Sequence, residues 1–185
     1  MADKPWATTL NLGCGNKHLP DAVNLDVTTN TNPDVVHDLN LRPWPFPADR
    51  FDEVIMYDVL EHLGDLVGVL EELHRVTRPG GVIRITTPHF SCANAFTDPT
   101  HKHQLGWFSL DYFTGDHEHS YYTTARFRMR DRRLHFFPSL VNKVVRRLAN
   151  RRPQAYERRW TWVFPAWFLS FELEVVKAAT AAPLR

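Results

Sequence analysis

Short apolar runs separated by turns fill the first half of the chain and predict the strands of a sheet. Five runs have the length of strands, and they are Thr8–Leu12, Ala22–Asp26, Asp34–Asp38, Phe51–Tyr57 and Val82–Thr87. Short continuous apolar runs bounded by turn residues are typical of buried strands. Because these runs alternate with turns and helical segments, they favour an α/β fold with a mostly parallel, doubly wound sheet.

One amphipathic helix is predicted between the fourth and fifth runs, over Leu66–Arg78. Asp65 is a suitable N-cap for this helix, and Pro79-Gly80-Gly81 is predicted to stop it. Its apolar face consists of Leu66, Val69, Leu70, Leu73 and Val76. This helix is expected to pack against one face of the sheet.

The middle of the chain is less regular. Pro88–Gly115 reads as a loop with a short helix near Ser109–Phe113. Apolar residues flank the sequence "DRR" within Phe127–Phe137, which favours a hairpin.

A basic helix and a strand are predicted nearer the C-terminus. Ser139 would cap the helix, which runs through Asn150. The residues expected to face inward are Leu140, Val141, Val144, Val145 and Leu148. The strict alternation of apolar and polar side chains over residues 169–175 predicts a strand.

Composition fits a single soluble globular domain. The 185 residues are 43% hydrophobic and 23% charged, and no apolar run approaches the ~20 residues that span a bilayer. The first residues lack the apolar core of a signal peptide, so a cytoplasmic location is expected. Cys14 and Cys92 form no paired-ligand pattern, which argues against a disulfide framework or a structural zinc site.

Charge is distributed unevenly. Residues Arg126–Arg159 contain 12 Lys or Arg against two acids, although the net charge of the whole chain is only +1. The segment either meets an anionic partner or forms a solvated basic face. Arg158–Phe168 joins arginines to three tryptophans, which suits peripheral contact with a membrane or a helix packed on the sheet.

The sequence "LNLGCGNKHLPDAVNLD" carries the chemistry of the first half. Gly13-Cys14-Gly15 follows a strand, and Asp26 ends the next strand only 13 residues after Gly13. Dinucleotide sites have a third glycine and an acid about 20 residues further on, and phosphate loops have a Lys-Ser/Thr pair. Their absence favours a nucleoside ligand without a phosphate chain.

Several motifs in this order resemble the class I S-adenosylmethionine-dependent methyltransferases, and most closely the small bacterial type 11 group. They are "LNLGCG", "HDLN", "PFPADRFDEVIMYDVLEHL" and "LHRVTRPGG". The resemblance implies a Rossmann-like sheet with an antiparallel C-terminal strand and S-adenosyl-L-methionine as cofactor. It also implies one methyltransferase domain over residues 1–185. Residues 1–87 would bind the cofactor, residues 88–150 would form an acceptor-side lid, and residues 151–185 would add a helix and a strand.

The resemblance also implies roles for single residues. Gly13, Cys14 and Gly15 would contact the amino-acid part of the cofactor with their backbone. A carboxylate can accept two hydrogen bonds from a vicinal diol, so Asp26 would hold the ribose hydroxyls. The remaining contacts would come from Asp38 and Leu39 beside the adenine and from Tyr57 and Asp58 beside the methionine.

One departure from the family concerns the first crossover. Only Asn16–Asp21 lies between Gly15 and the second strand, whereas a parallel crossover normally needs a dozen or more residues. The crossover helix is therefore predicted to be reduced to about a turn. The adenosine pocket would be more open than usual, so a degenerate subunit that supports a partner is an alternative to an enzyme.

The stretch "DVLEH" has two interpretations. Asp58 could cap a helix with Glu61 as the acid of a capping box. Alternatively, Asp58, Glu61 and His62 would bind a divalent metal together with His101, as similar stretches do in small-RNA 2′-O-methyltransferases. Without a metal, His62, His101 or His103 would be the catalytic base, since histidine titrates near neutral pH.

The acceptor is the least determined part. An aromatic set could line a pocket for it or form a satellite core, and its members are Phe90, Phe96, Trp107, Phe108, Tyr112 and Phe113. The leading hypothesis is O-methylation of a sugar, glycan precursor or other small molecule. An RNA methyltransferase is the alternative enzyme, which the basic segment favours. The sequence leaves the oligomeric state open.

Overall fold

The fold is taken from a computed structural model that describes Lys4 and residues 6–114 and 120–177. Gly115, at which the predicted loop ends, and the outermost residues of the chain lie outside these ranges. The described strands are β1 (Thr9–Leu12), β2 (Ala22–Asp26), β3 (Val35–Val36), β4 (Phe51–Tyr57), β5 (Thr77–Pro88), β6 (Arg126–His135) and β7 (Phe168–Val176). They form one sheet.

The order of strands across this sheet is β3-β2-β1-β4-β5-β7-β6. Neighbours from β3 to β5 pair in parallel, whereas β7 is antiparallel to both β5 and β6. The predicted Rossmann-like, doubly wound sheet with an antiparallel C-terminal strand is confirmed. Parallel pairing brings the carboxyl ends of β1, β2, β4 and β5 to one edge, where open α/β sheets bind ligands.

Four α-helices are described, and they are α1 (Leu66–Val76), α2 (Asn94–Thr97), α3 (Leu140–Arg151) and α4 (Pro153–Arg159). Short 3₁₀ turns occupy Thr29–Thr31, Leu60–His62, Asp111–Phe113 and Ser120–Tyr122. The Asp65 side chain caps α1 as predicted, since it accepts a hydrogen bond from the Gly68 amide at 3.0 Å. The predicted apolar face of α1 is buried, apart from the half-buried Leu66.

Several predicted boundaries were wrong. Helix α1 ends at Val76, because Thr77 and the Pro79-Gly80-Gly81 segment belong to the long strand β5, which begins well before the predicted Val82. Strand β3 is shorter than predicted. The helix predicted near Ser109–Phe113 is a single 3₁₀ turn, and α2 lies in the segment predicted as loop.

The hairpin predicted within Phe127–Phe137 is also wrong. Strand β6 continues without a turn, with a register shift between Met129 and Asp131. The reason lies far away in sequence. Strand β7 offers hydrogen-bonding partners along the whole of β6, from Arg126 opposite Val176 to His135 opposite Phe168, so the segment need not fold back on itself.

Helix α3 presents its apolar side to solvent, contrary to the prediction. Leu140 is 87% exposed, and Val141, Val144 and Leu148 are 60–62% exposed, whereas Val145 is half-buried. The helix is held at its C-terminal end, where the Asn150 side chain bonds both the amide and the carbonyl of Leu134 on β6. Only Ala149 of α3 is fully buried.

The segment after α4 likewise differs from a helix packed on the sheet. Helix α4 ends at Arg159, and residues 160–163 form turns. Within the described ranges no helix is both long and apolar enough to cross a membrane.

The first crossover contains no helix, in line with its predicted shortening, and polar side chains hold it in place instead. The Asn24 Oδ1 accepts hydrogen bonds from the Asn11 amide group and the Leu19 backbone, both at 2.9 Å. Asn11 also donates to the Lys17 carbonyl at 2.9 Å, and Asp34 accepts from Asn24 at 3.0 Å. Since Asn11 and Asn24 are buried on β1 and β2, the loop is tied to the sheet along its length.

Candidate functional site

The glycine turn after β1 depends on close approach between two strand ends. Gly13 has a φ of 61°, and a Cβ added there would lie 2.3 Å from a methyl carbon of Val59, which follows β4. Gly15 has a φ of 48° and open space around it. At position 13 glycine therefore allows both the positive φ and the close approach of Val59. At position 15 it leaves the edge of the sheet uncovered.

Gly13→Ala is expected to lower the free energy of unfolding by about 2 kcal/mol. The substitution strains the backbone, and it also forces Val59 to move. Gly80→Ala is the matched control, since Gly80 has a φ of 75° but no atom within 4 Å of its added Cβ. Gly80→Ala should lower the free energy of unfolding only through backbone strain, by about 1 kcal/mol. Denaturant unfolding of both variants measures the difference, and equal losses would contradict a packing role for Gly13.

Asp26 at the end of β2 is buried and holds the glycine turn. Its Oδ2 accepts the Gly15 amide at 2.8 Å, and its Oδ1 accepts the Thr28 amide at 3.1 Å. An ionised carboxylate has about four acceptor positions, so about two remain for a ligand. Next to it, burial and the Asp26 charge raise the pKa of the Cys14 thiol, which makes Cys14 a poor nucleophile at neutral pH.

Asp38 and Leu39 follow β3, the strand next to β2. The backbone and side-chain amides of Asn40 both donate to the Asp38 Oδ1, at 2.9 and 2.8 Å, and these bonds lower the pKa of Asp38. Leu39 is buried, and its carbonyl accepts the Trp44 indole N–H at 3.2 Å. An ionised acceptor and a buried apolar side chain therefore follow the strand that pairs with β2, and their contact with adenine stays a prediction.

Tyr57 is the last residue of β4, and Asp58 begins the turn that follows it. Tyr57 is 43% exposed. Asp58 has a φ of 59°, and both its backbone amide and its Oδ1 bond Thr86 on β5, each at 2.9 Å. The capping-box interpretation of this stretch is wrong, because Val59 precedes the turn at Leu60–His62 and no side chain caps it.

Glu61 is instead turned into the protein beside two histidines. Its side chain is 2% exposed, and its Oε1 lies 4.0 Å from the Nε2 of His101. The rings of His62 and His101 stand edge to face with centroids 4.6 Å apart. One ligand atom from each of Glu61, His62 and His101 lies within 4.8 Å of the others.

A backbone contact brings the loop of His101 to Glu61. The Glu61 carbonyl accepts the amides of Lys102 and His103, at 2.8 and 3.2 Å. These two bonds place "DPTHKH", which lies about 40 residues further along the chain, against the end of β4. The meeting of these segments was predicted from the sequence only as a hypothesis about metal ligands.

Each of the two histidines has a hydrogen-bond partner at its Nδ1. Thr100 donates its hydroxyl proton to Asp98 at 2.6 Å, so its oxygen can accept from the Nδ1 of His62 at 2.9 Å. The Nδ1 of His101 lies 3.3 Å from the Ala95 carbonyl, which can only accept. Both contacts are hydrogen bonds when each neutral ring carries its proton on Nδ1, and in that tautomer each Nε2 is an electron-pair donor.

The Glu61 carboxyl is poised between its two protonation states. Neither oxygen has a hydrogen-bond partner of good geometry among the described residues. Burial raises the pKa of Glu61 to about 7, and its own backbone amide, the Thr87 hydroxyl and His101 oppose the shift only in part. A buried carboxyl with a pKa near neutrality can take up or release a proton, or bind a cation, under physiological conditions.

Two of the predicted site residues lie apart from this cluster. Asp58 is engaged by Thr86, although its charge still raises the pKa of Glu61. His103 is half-buried, and its Nε2 lies 3.3 Å from the Gly64 carbonyl. The structure thus brings together three of the four predicted metal ligands and separates His103 from the other two candidate bases.

The predicted aromatic acceptor set does not lie in a single environment. Phe113 belongs to the core, while Phe96, Phe108 and Tyr112 are 40–63% exposed. The Arg132 guanidinium lies 5.0 Å from the centre of the Trp107 ring, a cation–π contact. Part of the set is therefore a satellite core, and part is exposed at the surface.

His89 has a role that the sequence did not indicate. It is fully buried at the end of β5, and its Nε2 lies 3.1 Å from the Glu157 carboxylate on α4. Its Nδ1 lies 2.7 Å from the Ser91 hydroxyl. With both ring nitrogens engaged, His89 joins α4 to the sheet, and only the fold could reveal this link.

Known proteins resemble both the motif-bearing segment and the whole fold. A family profile described as "Methyltransferase domain" matches residues 10–85. A probable S-adenosylmethionine-dependent methyltransferase of Mycolicibacterium smegmatis is 42% identical over 50 residues, which are 27% of this chain and 20% of that protein. A demethylmenaquinone methyltransferase of Lysinibacillus sphaericus is 43% identical over 44 residues, covering 24% of this chain and 19% of that protein.

Similarity over the whole chain is structural. The crystal structure of a SAM-dependent methyltransferase from Archaeoglobus fulgidus superposes with a TM-score of 0.57 and 17% identity, over 90% of this chain and 85% of that one. The sequence alignments span about a fifth of the curated relatives, and the structural match extends the shared fold to nearly the whole chain. Residues 10–85 thus match a methyltransferase domain in sequence, and nearly the whole chain shares the fold of solved S-adenosylmethionine-dependent methyltransferases.

Proposed function

We propose that this chain transfers the methyl group of S-adenosyl-L-methionine to a hydroxyl of a small-molecule acceptor such as a sugar or a glycan precursor. The cofactor would lie along the edge formed by the ends of β1, β2 and β4, with its ribose on Asp26. The observation that carries the proposal is the buried Glu61 carboxyl, which stands with His62 and His101 at the end of β4 without a hydrogen-bond partner of good geometry among the described residues. We expect this reaction in the cytoplasm.

The chemistry of the acceptor explains why this cluster matters. Methyl transfer from a sulfonium is an in-line displacement, for which correct positioning can contribute roughly 7–11 kcal/mol. A hydroxyl must also lose its proton, so it needs a base or a polarising partner. Glu61 has a pKa of about 7, and His62 and His101 present an electron pair on Nε2, so the cluster can accept that proton.

The same three side chains also fit a divalent metal ion. A carboxylate oxygen and two imidazole nitrogens are a donor set suited to Mn²⁺ or Zn²⁺. The buried oxygens of Glu61 have no hydrogen-bond partner among the described residues, so a bound cation would compensate their charge. When bound, such an ion would lower the pKa of an acceptor hydroxyl. Asp98, through Thr100, would orient His62, as carboxylates commonly do for histidine ligands.

Metal binding can be measured without an acceptor. We expect Mn²⁺ to bind the wild-type protein in calorimetry, and Glu61→Gln and His101→Ala to lose that binding. His103→Ala is the matched control, because its ring contacts Gly64 instead of the cluster. Equal Mn²⁺ affinity in all four proteins would contradict a metal site here and leave the cluster as a proton acceptor.

The methyl acceptor is tested with labelled cofactor. Protein incubated with S-adenosylmethionine carrying a labelled methyl group and with whole-cell extract should produce a labelled small molecule that is stable to ribonuclease. Methyl ethers survive mild alkali, so the label should remain after that treatment. Label that appears only in nucleic acid, or that ribonuclease releases, would overturn the proposed acceptor class, while absence of transfer would favour a cofactor-binding subunit.

A further inference from the structure

Helix α3 carries a stripe of aliphatic side chains that the fold leaves in solvent. Its members are Leu140, Val141, Val144 and Leu148. An amphipathic helix normally turns such a stripe toward the core, and contiguous exposed apolar area marks an interaction site. The helix is anchored by Asn150 and buries Ala149, so its orientation is set by the fold and the stripe remains outward.

Exposed apolar side chains also follow α4. Trp160 is 53% exposed, and Trp162 and Val163 are 73% and 62% exposed. Leu148 and Trp160 line one groove of about 700 Å³ between α3 and α4, together with Val145 and Tyr156. We call the stripe, the groove and residues 160–163 the α3–α4 surface.

The same surface is strongly basic. Residues 139–159 contain seven basic side chains, namely Lys143, Arg146, Arg147, Arg151, Arg152, Arg158 and Arg159. Among the described residues, none of these seven has an ion-pair partner within 4.0 Å. The one acid of the segment, Glu157, points inward to the Trp107 amide and His89. The positive charge of the α3–α4 surface is therefore uncompensated.

We infer that the α3–α4 surface docks onto anionic phospholipid bilayers. Its aliphatic stripe would enter the boundary between headgroups and acyl chains, and its arginines would bind lipid phosphates. Tryptophans are enriched at that boundary because their rings are apolar and carry one N–H donor. The inference does not rest on the proposed methyl acceptor.

Two other occupants fit the surface less well. A nucleic acid would use the arginines but would leave the aliphatic stripe in water, since phosphates and sugars offer it little apolar contact. A protein partner would need acidic groups opposite the seven basic side chains in addition to an apolar surface for the stripe. A lipid surface satisfies both chemistries at once.

Vesicle flotation tests the inference. The wild-type protein should float with vesicles of phosphatidylcholine that contain about 30% phosphatidylglycerol, and it should not float with vesicles of phosphatidylcholine alone. The triple variant Leu140→Ser/Val144→Ser/Leu148→Ser and the double variant Arg146→Gln/Arg147→Gln should each reduce the bound fraction at least about fivefold. All five positions lie on one exposed helix, so the fold should survive.

Matched controls separate this surface from general hydrophobicity and charge. Val36→Ser/Leu41→Ser/Val67→Ser removes three other exposed aliphatic side chains, and Arg78→Gln/Arg128→Gln removes two exposed charges elsewhere. Both should bind vesicles as the wild type does. Brominated lipids should quench the tryptophan fluorescence of the wild type and, much less, that of Trp160→Phe/Trp162→Phe.

Three results would overturn the inference. The first is flotation that the α3 variants do not change. The second is no vesicle binding together with a dimer that the triple serine variant dissociates in sedimentation, which would assign the stripe to a second copy. The third is no vesicle binding together with RNA binding that the Arg146→Gln/Arg147→Gln variant loses, which would assign the charge to nucleic acid.

Discussion

Asp26→Ala is expected to weaken binding of S-adenosylhomocysteine, the demethylated cofactor, about 10- to 100-fold. Charge-assisted hydrogen bonds contribute about 1.5–3 kcal/mol, and about 1.4 kcal/mol corresponds to tenfold in affinity. The substitution removes the proposed ribose acceptor and also frees the Gly15 and Thr28 amides that Asp26 holds. Calorimetric titration with S-adenosylhomocysteine measures the loss.

Two further variants separate ligand contact from support of the turn. Asp26→Asn keeps one acceptor oxygen, so it should lose less affinity than Asp26→Ala. Asp34→Asn disturbs the network that holds the first crossover without touching the proposed ribose position. It should lower thermal stability more than cofactor affinity. Unchanged affinity in a folded Asp26→Ala protein would remove Asp26 from the binding site.

Glu61→Gln should change how stability depends on pH. The folded state raises the pKa of Glu61 from an ordinary 4.5 to about 7, so its proton is held more tightly when the protein is folded. The contribution of protonated Glu61 to stability is complete below about pH 4.5 and is lost as the pH rises through 7, up to about 3 kcal/mol. Glutamine does not titrate, so the variant should be more stable than the wild type at pH 8 and about equally stable at pH 5.

Denaturant unfolding at both pH values, with chelator present, measures this effect. Glu72→Gln is a control of opposite sign, because Glu72 is also buried but its pKa is lowered by Arg75 and the Trp44 amide. That variant should lose stability at pH 8. In the methyl-transfer assay Glu61→Gln should lose most activity, since glutamine can neither accept a proton nor compensate a metal charge. Full activity together with an unchanged pH profile would contradict both roles of Glu61.

The local sequence was sufficient for those elements whose neighbours in space are also neighbours along the chain. The strand β2 and the cap and apolar face of α1 follow from short-range periodicity and from Asp65. The glycine turn was readable because positive φ at Gly13 and Gly15 demands glycine. The predicted ends of elements were less reliable where a strand follows a helix directly, as at Thr77, which was predicted as helix and belongs to β5.

The structures of the "DVLEH" stretch and of β6 depended on segments that are distant in sequence. The capping-box and metal interpretations of "DVLEH" were both compatible with the local pattern. The structure excludes the cap, because Val59 precedes the turn and Glu61 is buried beside His101. The hairpin within β6 failed for the same reason, since β7 supplied the partner.

The sequence by itself determined the α/β class and predicted the cofactor edge and its polar residues, because turn chemistry and periodicity act over a few residues. Only the tertiary structure decided that Glu61 is buried beside two histidines and that the apolar side of α3 faces water. Periodicity shows that a helix has an apolar side, but not what covers it. Burial, and with it the raised pKa of Glu61, depends on segments that meet only when the sheet and its loops have assembled.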